Sequence, residues 1–373
     1  MYSAAITGSG VFTPEHTISN DELVQAFNAS ADRFNAENAV AIEAGTITAR
    51  PHSSSDFIVA ASGIERRYVL DKEGVLDPDR MFPNLPQRSD DEPSLMAEMA
   101  VDAALQAMTQ AGRSADDVDA VICAASNHER AYPAIAVEIQ QMLEIDGFAF
   151  DMNVACSSAT FGIQTATDMI KTGSIRSALV VCPEICSAHL EWRDRDCHFI
   201  FGDVATALLI ERDEDLQGAH FKIKSTRLAT QFSNNIRNNN GFLRRTRDQM
   251  DDRRDMQFMQ NGRKVFKEVL PMVSQHIADH MADEGIMADD LKRLWLHQAN
   301  KTMNDYIGKK VLGREPKEGE QPNILQDYAN TSSAGSVIAF SKYSEDFSTG
   351  EYGLICSFGA GYSVGSVIVE RSS

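Results

Sequence analysis

The chain has 373 residues, 43% of them hydrophobic, which is enough to fill two packed domains or one duplicated domain. Its formal net charge of −19 at pH 7 excludes general nucleic-acid binding, because a phosphate backbone would be repelled. No run approaches the roughly 18 apolar residues of a membrane span, and six scattered cysteines fit reduced thiols. We therefore expect a cytoplasmic protein with no nucleic-acid or membrane partner.

The first predicted helix follows a possible capping box, in which Ser19 opens the helix and Glu22 reaches back to it. Two segments near it have no counterpart elsewhere in the chain. Residues 28–55 are rich in Ala and Asn, and residues 70–93 are rich in turn-forming residues and predict a surface loop. We interpret both segments as insertions into a larger repeated unit.

The rest of the chain indicates two copies of one unit. Residues 112–127 resemble residues 285–300, and CSSATFGI at 156–163 resembles TSSAGSVI at 331–338. Two shorter matches follow in the same order: the Thr-Gly pair at 172 with the pair at 349, and the Phe-Gly pair at 201 with the pair at 358. Four collinear matches favour duplication over chance. We place the boundary near residue 212, which gives the halves 1–212 and 213–373.

The order of predicted elements is the same in both halves. Each contains a helix, a β-rich run, a helix start made of small residues, a helix and two final apolar strands. Strands alternating with helices predict an α/β protein with a largely parallel sheet covered on both faces. Two such halves would stack helices between two sheets.

Cys156 lies where a strand-like run meets small residues that predict a helix start, in NVACSSATFG at 153–162. Free N–H groups and the positive end of a helix dipole at such a place favour the thiolate over the thiol. The alternative is a buried cysteine that only fills space, since free cysteine is among the most buried residue types. Taken alone, the position of Cys156 favours neither interpretation.

His297 and Asn330 are expected near Cys156 if the two halves are related by a pseudo-twofold axis. His297 ends the strand-like run LWLHQAN, and Asn330 lies one residue before the helix start that matches the one at Cys156. Functional groups of α/β sheets collect at the carboxyl ends of strands, so the three side chains are predicted to share one pocket. There His297 and Asn330 could donate to an oxyanion that develops as the thiolate attacks. The turn at 359–361 adds backbone N–H groups.

A second group of cysteines and histidines could bind zinc. Its members are Cys182, Cys186, His189, Cys197 and His198. Cys182 lies in an apolar strand-like run, and the spacing matches no paired zinc motif well. We therefore expect no metal.

A set of motifs in fixed order resembles a known family. The motifs are DMNVACSSA, FGD at 201–203, LHQAN, YANTSSAGS and SFGAGYSVG, together with GSGVFTP near the start and SGIERRYV at 62–69. They are similar to the motifs of the thiolase-fold condensing enzymes, specifically ketoacyl-ACP (acyl carrier protein) synthase III. The resemblance runs nearly end to end and implies a duplicated, five-layered αβαβα fold, usually in a homodimer.

The resemblance also implies a mechanism. Cys156 would take an acyl group from acyl-CoA as a thioester, with the backbone N–H groups of Cys156 and Ala360 holding the oxyanion. Malonyl-ACP would then enter, and His297 and Asn330 would hydrogen-bond its thioester carbonyl while CO₂ leaves. No cofactor is implied, because the CoA and phosphopantetheine thioesters are substrates.

Further contacts are implied by the same resemblance. The CoA adenine would lie between Phe57 and Arg195. The acyl pocket would include Ala159, Phe358 and Tyr132, the last reaching across the dimer interface into the partner's pocket. Acidic ACP would dock on Arg263, Lys264 and Lys267, and the arginine-rich segment 237–254 would reach the CoA phosphates.

Two departures from the family pattern bear on the substrate. Ala159 stands where the family usually has a large aromatic residue, and residues 28–55 and 231–255 lengthen the chain. We therefore expect an acyl pocket larger than acetyl needs, suited to medium-chain acyl-CoA. The alternatives are a secondary-metabolite ketosynthase or acyltransferase that uses CoA substrates, a cysteine acyl-thioester hydrolase and a non-catalytic partner subunit.

Overall fold

The structure is a computed structural model, and it describes residues 1–241 and 253–373. The elements up to residue 212 are, in chain order, β1 (Ala4–Phe12), β2 (His16–Ser19), α1 (Asn20–Glu37), α2 (Ala39–Glu43), α3 (Ser55–Ser62), β3 (Arg66–Val69), α4 (Glu73–Leu76), α5 (Leu95–Ala111), β4 (Ala120–Ala124), α6 (Ile135–Met142), β5 (Phe148–Met152), α7 (Ser158–Thr172), β6 (Ser177–Ile185) and β7 (Asp203–Arg212).

The elements after residue 212 are again given in chain order. They are β8 (Phe221–Ser233), β9 (Ile236–Arg237), β10 (Met259–Gln260), α8 (Gly262–Asp283), β11 (Leu291–Leu296), α9 (Lys301–Leu312), α10 (Leu325–Tyr328), α11 (Gly335–Lys342), β12 (Tyr352–Gly359) and β13 (Gly361–Arg371). The boundary predicted near residue 212 coincides with the end of β7, and the duplication itself stays a prediction.

The main sheet has nine strands in the order β11-β12-β13-β8-β1-β7-β6-β4-β5. Strands from the two halves lie on opposite sides of a short antiparallel pairing between β1 and β8. Among the described strands of this sheet, the parallel pairs are β4 with β5, β4 with β6, and β11 with β12. The prediction of a largely parallel sheet is therefore wrong. The last two strands of each half, β6 with β7 and β12 with β13, pair antiparallel, because no crossover helix separates them.

Helices occupy three layers around the sheet strands. The middle layer is formed by α7 and α11, whose residues Ile163 and Ile338 share one buried core with strand residues of both halves, such as Ile122 and Ile355. One outer layer, α5 and α6, covers the first half. The other, α8 and α9, covers the second half. The chain is thus the five-layered αβαβα arrangement that its motifs imply.

The insertions hold more regular structure than the sequence indicates. The capping box is confirmed, since the Ser19 hydroxyl accepts from the Glu22 N–H at 3.3 Å and the Glu22 carboxylate accepts from the Ser19 N–H at 2.9 Å. Helix α1 continues to Glu37, so it takes in the first part of segment 28–55. Residues 70–93 contain one short helix, α4, among turns and loops.

In the described ranges, 1–241 and 253–373, none of the helices combines the length and the apolar character that crossing a bilayer requires.

Candidate active site

Cys156 lies in the short connection between β5 and α7, two residues before the helix begins. The turn is shaped by Ala155, which has a positive φ of 49°, and by Asn153, whose side chain accepts from the Ala155 N–H at 2.9 Å. The residue as a whole is half-buried, and it lines the wall of a cavity. Its sulfur accepts a hydrogen bond from the Ser332 hydroxyl at 3.3 Å.

Burial raises the pKa of the Cys156 thiol to about 11. The Ser332 hydroxyl and the backbone N–H groups of Ala360 and Cys156 oppose this shift, whereas the Glu184 carboxyl adds to it. The helix start was expected to favour the thiolate of Cys156, but desolvation of the sulfur outweighs the donors around it, so the pKa is raised rather than lowered. The two N–H groups expected to form an oxyanion hole do lie at the sulfur.

His297 follows β11 directly, and its N–H donates to the Cys356 carbonyl at 2.7 Å. The side chain is buried, with its ring edge-on to Phe358 at a centroid distance of 5.1 Å. Burial lowers the pKa of His297 to about 4, with the Ser332 backbone opposing the shift. The imidazole is therefore neutral at pH 7, and its Nδ1 has no hydrogen-bond partner among residues 1–241 and 253–373.

Asn330 is fixed by its backbone and by its side chain. Its N–H donates to the Ile200 carbonyl at 2.9 Å, and its carbonyl accepts from the Gly202 N–H at 3.1 Å. The side-chain Oδ1 accepts from the Ser332 N–H at 2.9 Å. Since that bond fixes the orientation of the amide, the Nδ2 group is left as the donor that Asn330 can offer to a ligand.

Cys156, His297 and Asn330 line one cavity of about 610 Å³. The sequence predicted this convergence, and the structure brings the three residues together. Much of the remaining wall is aromatic. Its phenylalanines are Phe57, Phe199, Phe201, Phe258, Phe266 and Phe358.

The two residues expected on opposite faces of the CoA adenine instead lie in direct contact, so this arrangement leaves no room for a ring between them. The Arg195 guanidinium stacks on the Phe57 ring, with Cζ 3.9 Å from the ring centroid. The Arg195 Nε donates to the His52 carbonyl at 2.7 Å, which ties this stack to segment 28–55. Phe57 lines the cavity, so the stack stands beside it.

The residues assigned to the acyl pocket are dispersed. Phe358 lines the cavity. Ala159 is fully buried in the central core and does not reach the cavity wall. Tyr132 lies on the loop before α6 and is 85% exposed, away from the cavity of its own chain.

The basic residues assigned to ACP docking lie together on the first turns of α8. Arg263, Lys264 and Lys267 are all exposed there, and Arg263 also lines the cavity. Much of the arginine-rich segment 237–254, including Arg244, Arg245 and Arg247, lies outside the described residues. Where the structure describes it, Arg254 pairs with Asp194 at 2.6 Å.

The cysteines and histidines weighed as a zinc site do not form a group with ligand spacing. Within residues 1–241 and 253–373, such spacing is found for Cys123, His128 and Asp151. Asp151 accepts from the N–H groups of Ile135 and Ala136 at 2.9 and 2.8 Å. Both of its oxygens therefore already bind the start of α6.

Sequence reasoning missed Ser332 and Glu184. Ser332 touches the nucleophile, and Glu184 is buried behind it on β6. The repeat offered a signal for Ser332, because the alignment of CSSATFGI with TSSAGSVI places it within the second copy of the segment that carries Cys156. Glu184 had no such signal, since only the fold brings it behind the site.

Comparison with known proteins agrees with this geometry. Residues 150–231 match the family model described as 3-oxoacyl-acyl-carrier-protein (ACP) synthase III, and residues 281–371 match its C-terminal counterpart. The chain is 56% identical over 349 residues to the beta-ketodecanoyl-acyl-carrier-protein synthase of Pseudomonas aeruginosa PAO1, covering 93% of this chain and 100% of that protein. It is 34% identical to the beta-ketoacyl-acyl-carrier-protein synthase III of Acidiphilium cryptum, covering 73% of this chain and 83% of that protein.

A solved structure shows the same fold. The crystal structure of 3-oxoacyl-acyl-carrier-protein synthase III from Aquifex aeolicus superposes with a TM-score of 0.77 at 23% identity, covering 98% of this chain and 99% of that one. The Pseudomonas match covers nearly the whole chain at 56% identity. The chain therefore belongs to the beta-ketoacyl-ACP synthase III family of thiolase-fold condensing enzymes.

Proposed function

We propose that this chain joins octanoyl-CoA to malonyl-ACP by decarboxylative Claisen condensation, through an acyl thioester on Cys156. The observation that carries the proposal is the convergence of Cys156, His297 and Asn330 on one cavity. The chain length is suggested by the Pseudomonas relative, whose name specifies a beta-ketodecanoyl product. Such a product has two more carbons than an octanoyl primer.

In the first step, Cys156 attacks the acyl-CoA carbonyl carbon. A new bond forms from the Cys156 sulfur to the acyl carbon, the bond to the CoA sulfur breaks, and CoA leaves as the thiol with the proton that Cys156 gives up. The N–H groups of Cys156 and Ala360 lie at the sulfur, where they can stabilise the tetrahedral oxyanion.

In the second step, malonyl-ACP occupies the space that CoA has left. Its thioester carbonyl accepts hydrogen bonds from His297 and from the Nδ2 group of Asn330, which stabilise the enolate formed as CO₂ departs. The enolate carbon forms a carbon–carbon bond to the acyl carbon, the bond from that carbon to the Cys156 sulfur breaks, and the released thiolate takes a proton from water to return to the thiol. A neutral imidazole suits this role, because it can donate a hydrogen bond without carrying a charge into an apolar cavity.

The walls of the cavity support an acyl chain longer than acetyl. Phenylalanine rings such as Phe201 and Phe258 line the same space as Cys156. Each methylene group that moves from water into such surroundings contributes about 0.8 kcal/mol. Octanoyl therefore gains binding energy over acetyl provided that its chain lies among these rings.

ACP is proposed to approach along α8. Arg263, Lys264 and Lys267 are exposed on its first turns, and Arg263 also lines the cavity. Acidic ACP would meet these cations next to the cavity, in a chain whose net charge of −19 repels it elsewhere.

A homodimer is part of the proposal. Strand β5 is the last strand of the sheet, so its outer edge offers unpaired backbone groups. Phe148 on this strand is 44% exposed, and Tyr132 on the loop before α6 is 85% exposed. A second copy paired at this edge would cover both, and light scattering that gives the mass of a single chain would refute the dimer.

The test is acylation by CoA thioesters of graded length, followed by intact-mass measurement and a chase with malonyl-ACP. We expect an octanoyl adduct on the wild-type protein, none on Cys156→Ser, and loss of the adduct on the chase. A strong preference for acetyl-CoA would contradict the chain length. Chase by malonyl-CoA as fast as by malonyl-ACP would favour the secondary-metabolite alternative, and release of free octanoic acid would favour a hydrolase.

A further inference from the structure

The hydroxyl of Ser332 donates a hydrogen bond to the nucleophile. It lies 3.3 Å from the Cys156 sulfur and is buried. The N–H of the same residue donates to Asn330 Oδ1 at 2.9 Å. Ser332 therefore contacts the sulfur with its side chain and orients the Asn330 amide with its backbone.

The backbone at Ser332 is unusual. Its φ is +50°, a left-handed conformation that non-glycine residues adopt infrequently and at a cost in energy. Such a conformation persists only when the surroundings fix it. The neighbouring contacts of this short turn, residues 332–334, show what fixes it.

The turn is anchored by Glu184, which is 1% exposed. The N–H of Ser333 donates to Glu184 Oε1 at 3.2 Å, and the Ser333 hydroxyl donates to the same oxygen. On the other side, the N–H of Ser126 donates to Oε1 at 2.9 Å and the Ser126 hydroxyl donates to Oε2. One buried carboxyl thus ties the turn of the second half to the end of β4 in the first half.

We propose that Ser332 is a catalytic residue of the acylation step, whose hydroxyl donates a hydrogen bond to the Cys156 sulfur as it becomes a thiolate, and that Glu184 is the positioning residue that holds the turn. The inference deepens the proposed function and rests on it for the acyl-transfer step. A hydrogen bond from a neutral hydroxyl to a charged sulfur is stronger than one to the neutral thiol. Ser332 therefore stabilises the attacking form more than the resting form.

Among the described residues, three titratable side chains lie around this sulfur. His297 lines the same cavity, the Glu184 carboxyl raises the pKa of the sulfur, and the Cys186 thiol, whose own pKa the Cys156 sulfur raises, is neutral. The first turn of α7 carries no acidic residue. A change at Ser332 leaves all of these groups in place, so its effect on the sulfur can be measured directly.

The experiment is the pH dependence of Cys156 alkylation by iodoacetamide, which requires no acyl substrate. Loss of a hydrogen bond to a charged group corresponds to about one to two pH units, so the midpoint in Ser332→Ala should move up by that amount. Ser332→Gly should give the same shift, and glycine accepts the positive φ without strain. Ser333→Ala, which removes one bond to Glu184, should shift the midpoint in the same direction by less.

The matched control is Ser336→Ala. Ser336 is buried nearby on α11, but its hydroxyl forms a hydrogen bond with the Ser357 hydroxyl at 2.8 Å and not with the sulfur. The alkylation midpoint of this variant should therefore stay at the wild-type value.

A second measurement is the rate of octanoylation by octanoyl-CoA, which should fall about tenfold in Ser332→Ala and Ser332→Gly. Wild-type midpoints in both Ser332 variants would overturn the proposal. A shifted midpoint in a protein that accepts no acyl-CoA would instead refute the proposed function.

Discussion

Gly359 offers a direct test of how tightly the nucleophile is held. A Cβ placed on Gly359 would lie 2.5 Å from the Cβ of Cys156 and 3.0 Å from its sulfur. Ordinary van der Waals contact begins at 3.4 Å, so Gly359→Ala must displace Cys156 or the turn by about 1 Å. A displacement of that size at a reacting group costs about 10²-fold in rate. Overpacking of this kind also lowers the free energy of unfolding by about 1–3 kcal/mol.

The assays are condensation of octanoyl-CoA with malonyl-ACP, alkylation of Cys156 and the melting temperature. Gly353→Ala is the matched control, because Gly353 lies on the same strand, β12, but its added Cβ would lie 2.2 Å from the Trp295 ring, in the core. We expect the control to melt earlier with its activity per folded molecule intact. If Gly359→Ala condenses and is alkylated at the wild-type rate, the close approach of this turn to the sulfur has no role in catalysis.

Two further predictions concern pH and CoA binding. Burial lowers the pKa of His280 to about 4, so below its ordinary value of 6.5 the unfolded chain binds more protons and the free energy of unfolding falls as the pH drops from 6.5 to 4. His280→Gln should remove this part of the pH dependence in urea titrations, and an unchanged slope would contradict the assignment. Arg195→Ala should raise KM for octanoyl-CoA roughly 2- to 30-fold, because the CoA adenine loses the guanidinium on which it is proposed to stack. The KM for octanoyl-pantetheine, which lacks the adenine, should stay the same, and an equal change for both would place Arg195 elsewhere in the mechanism.

The convergence of Cys156, His297 and Asn330 was predictable from the sequence. The repeat predicts that equivalent positions of the two halves lie close together. In α/β folds, functional groups also collect at the carboxyl ends of strands. Both signals are local in the sequence, and neither depends on side-chain packing. The capping box at Ser19 was predictable for the same reason.

Other features depend on contacts between distant residues. The polar stretch after Asn28 carries weak helical periodicity, yet α1 continues to Glu37. Asn28 exchanges two hydrogen bonds with the backbone of Ser53, and Asn35 exchanges two with the backbone of Arg50. These pairs hold the returning chain along the helix. No local sequence pattern predicts these hydrogen bonds, because the two residues of each pair lie 25 and 15 residues apart.

The protonation states of the site show the same dependence on tertiary structure and decide between two kinds of chemistry. A cysteine hydrolase relies on an imidazole that takes the thiol proton. Here burial raises the pKa of Cys156 to about 11 and lowers that of His297 to about 4. Because the pKa of the imidazole lies well below that of the thiol, transfer of the proton from sulfur to imidazole is unfavourable. The imidazole is therefore a poor base for the thiol, whereas as a neutral donor it can stabilise an enolate. The buried pair thus favours condensation, with the thiol proton leaving on coenzyme A.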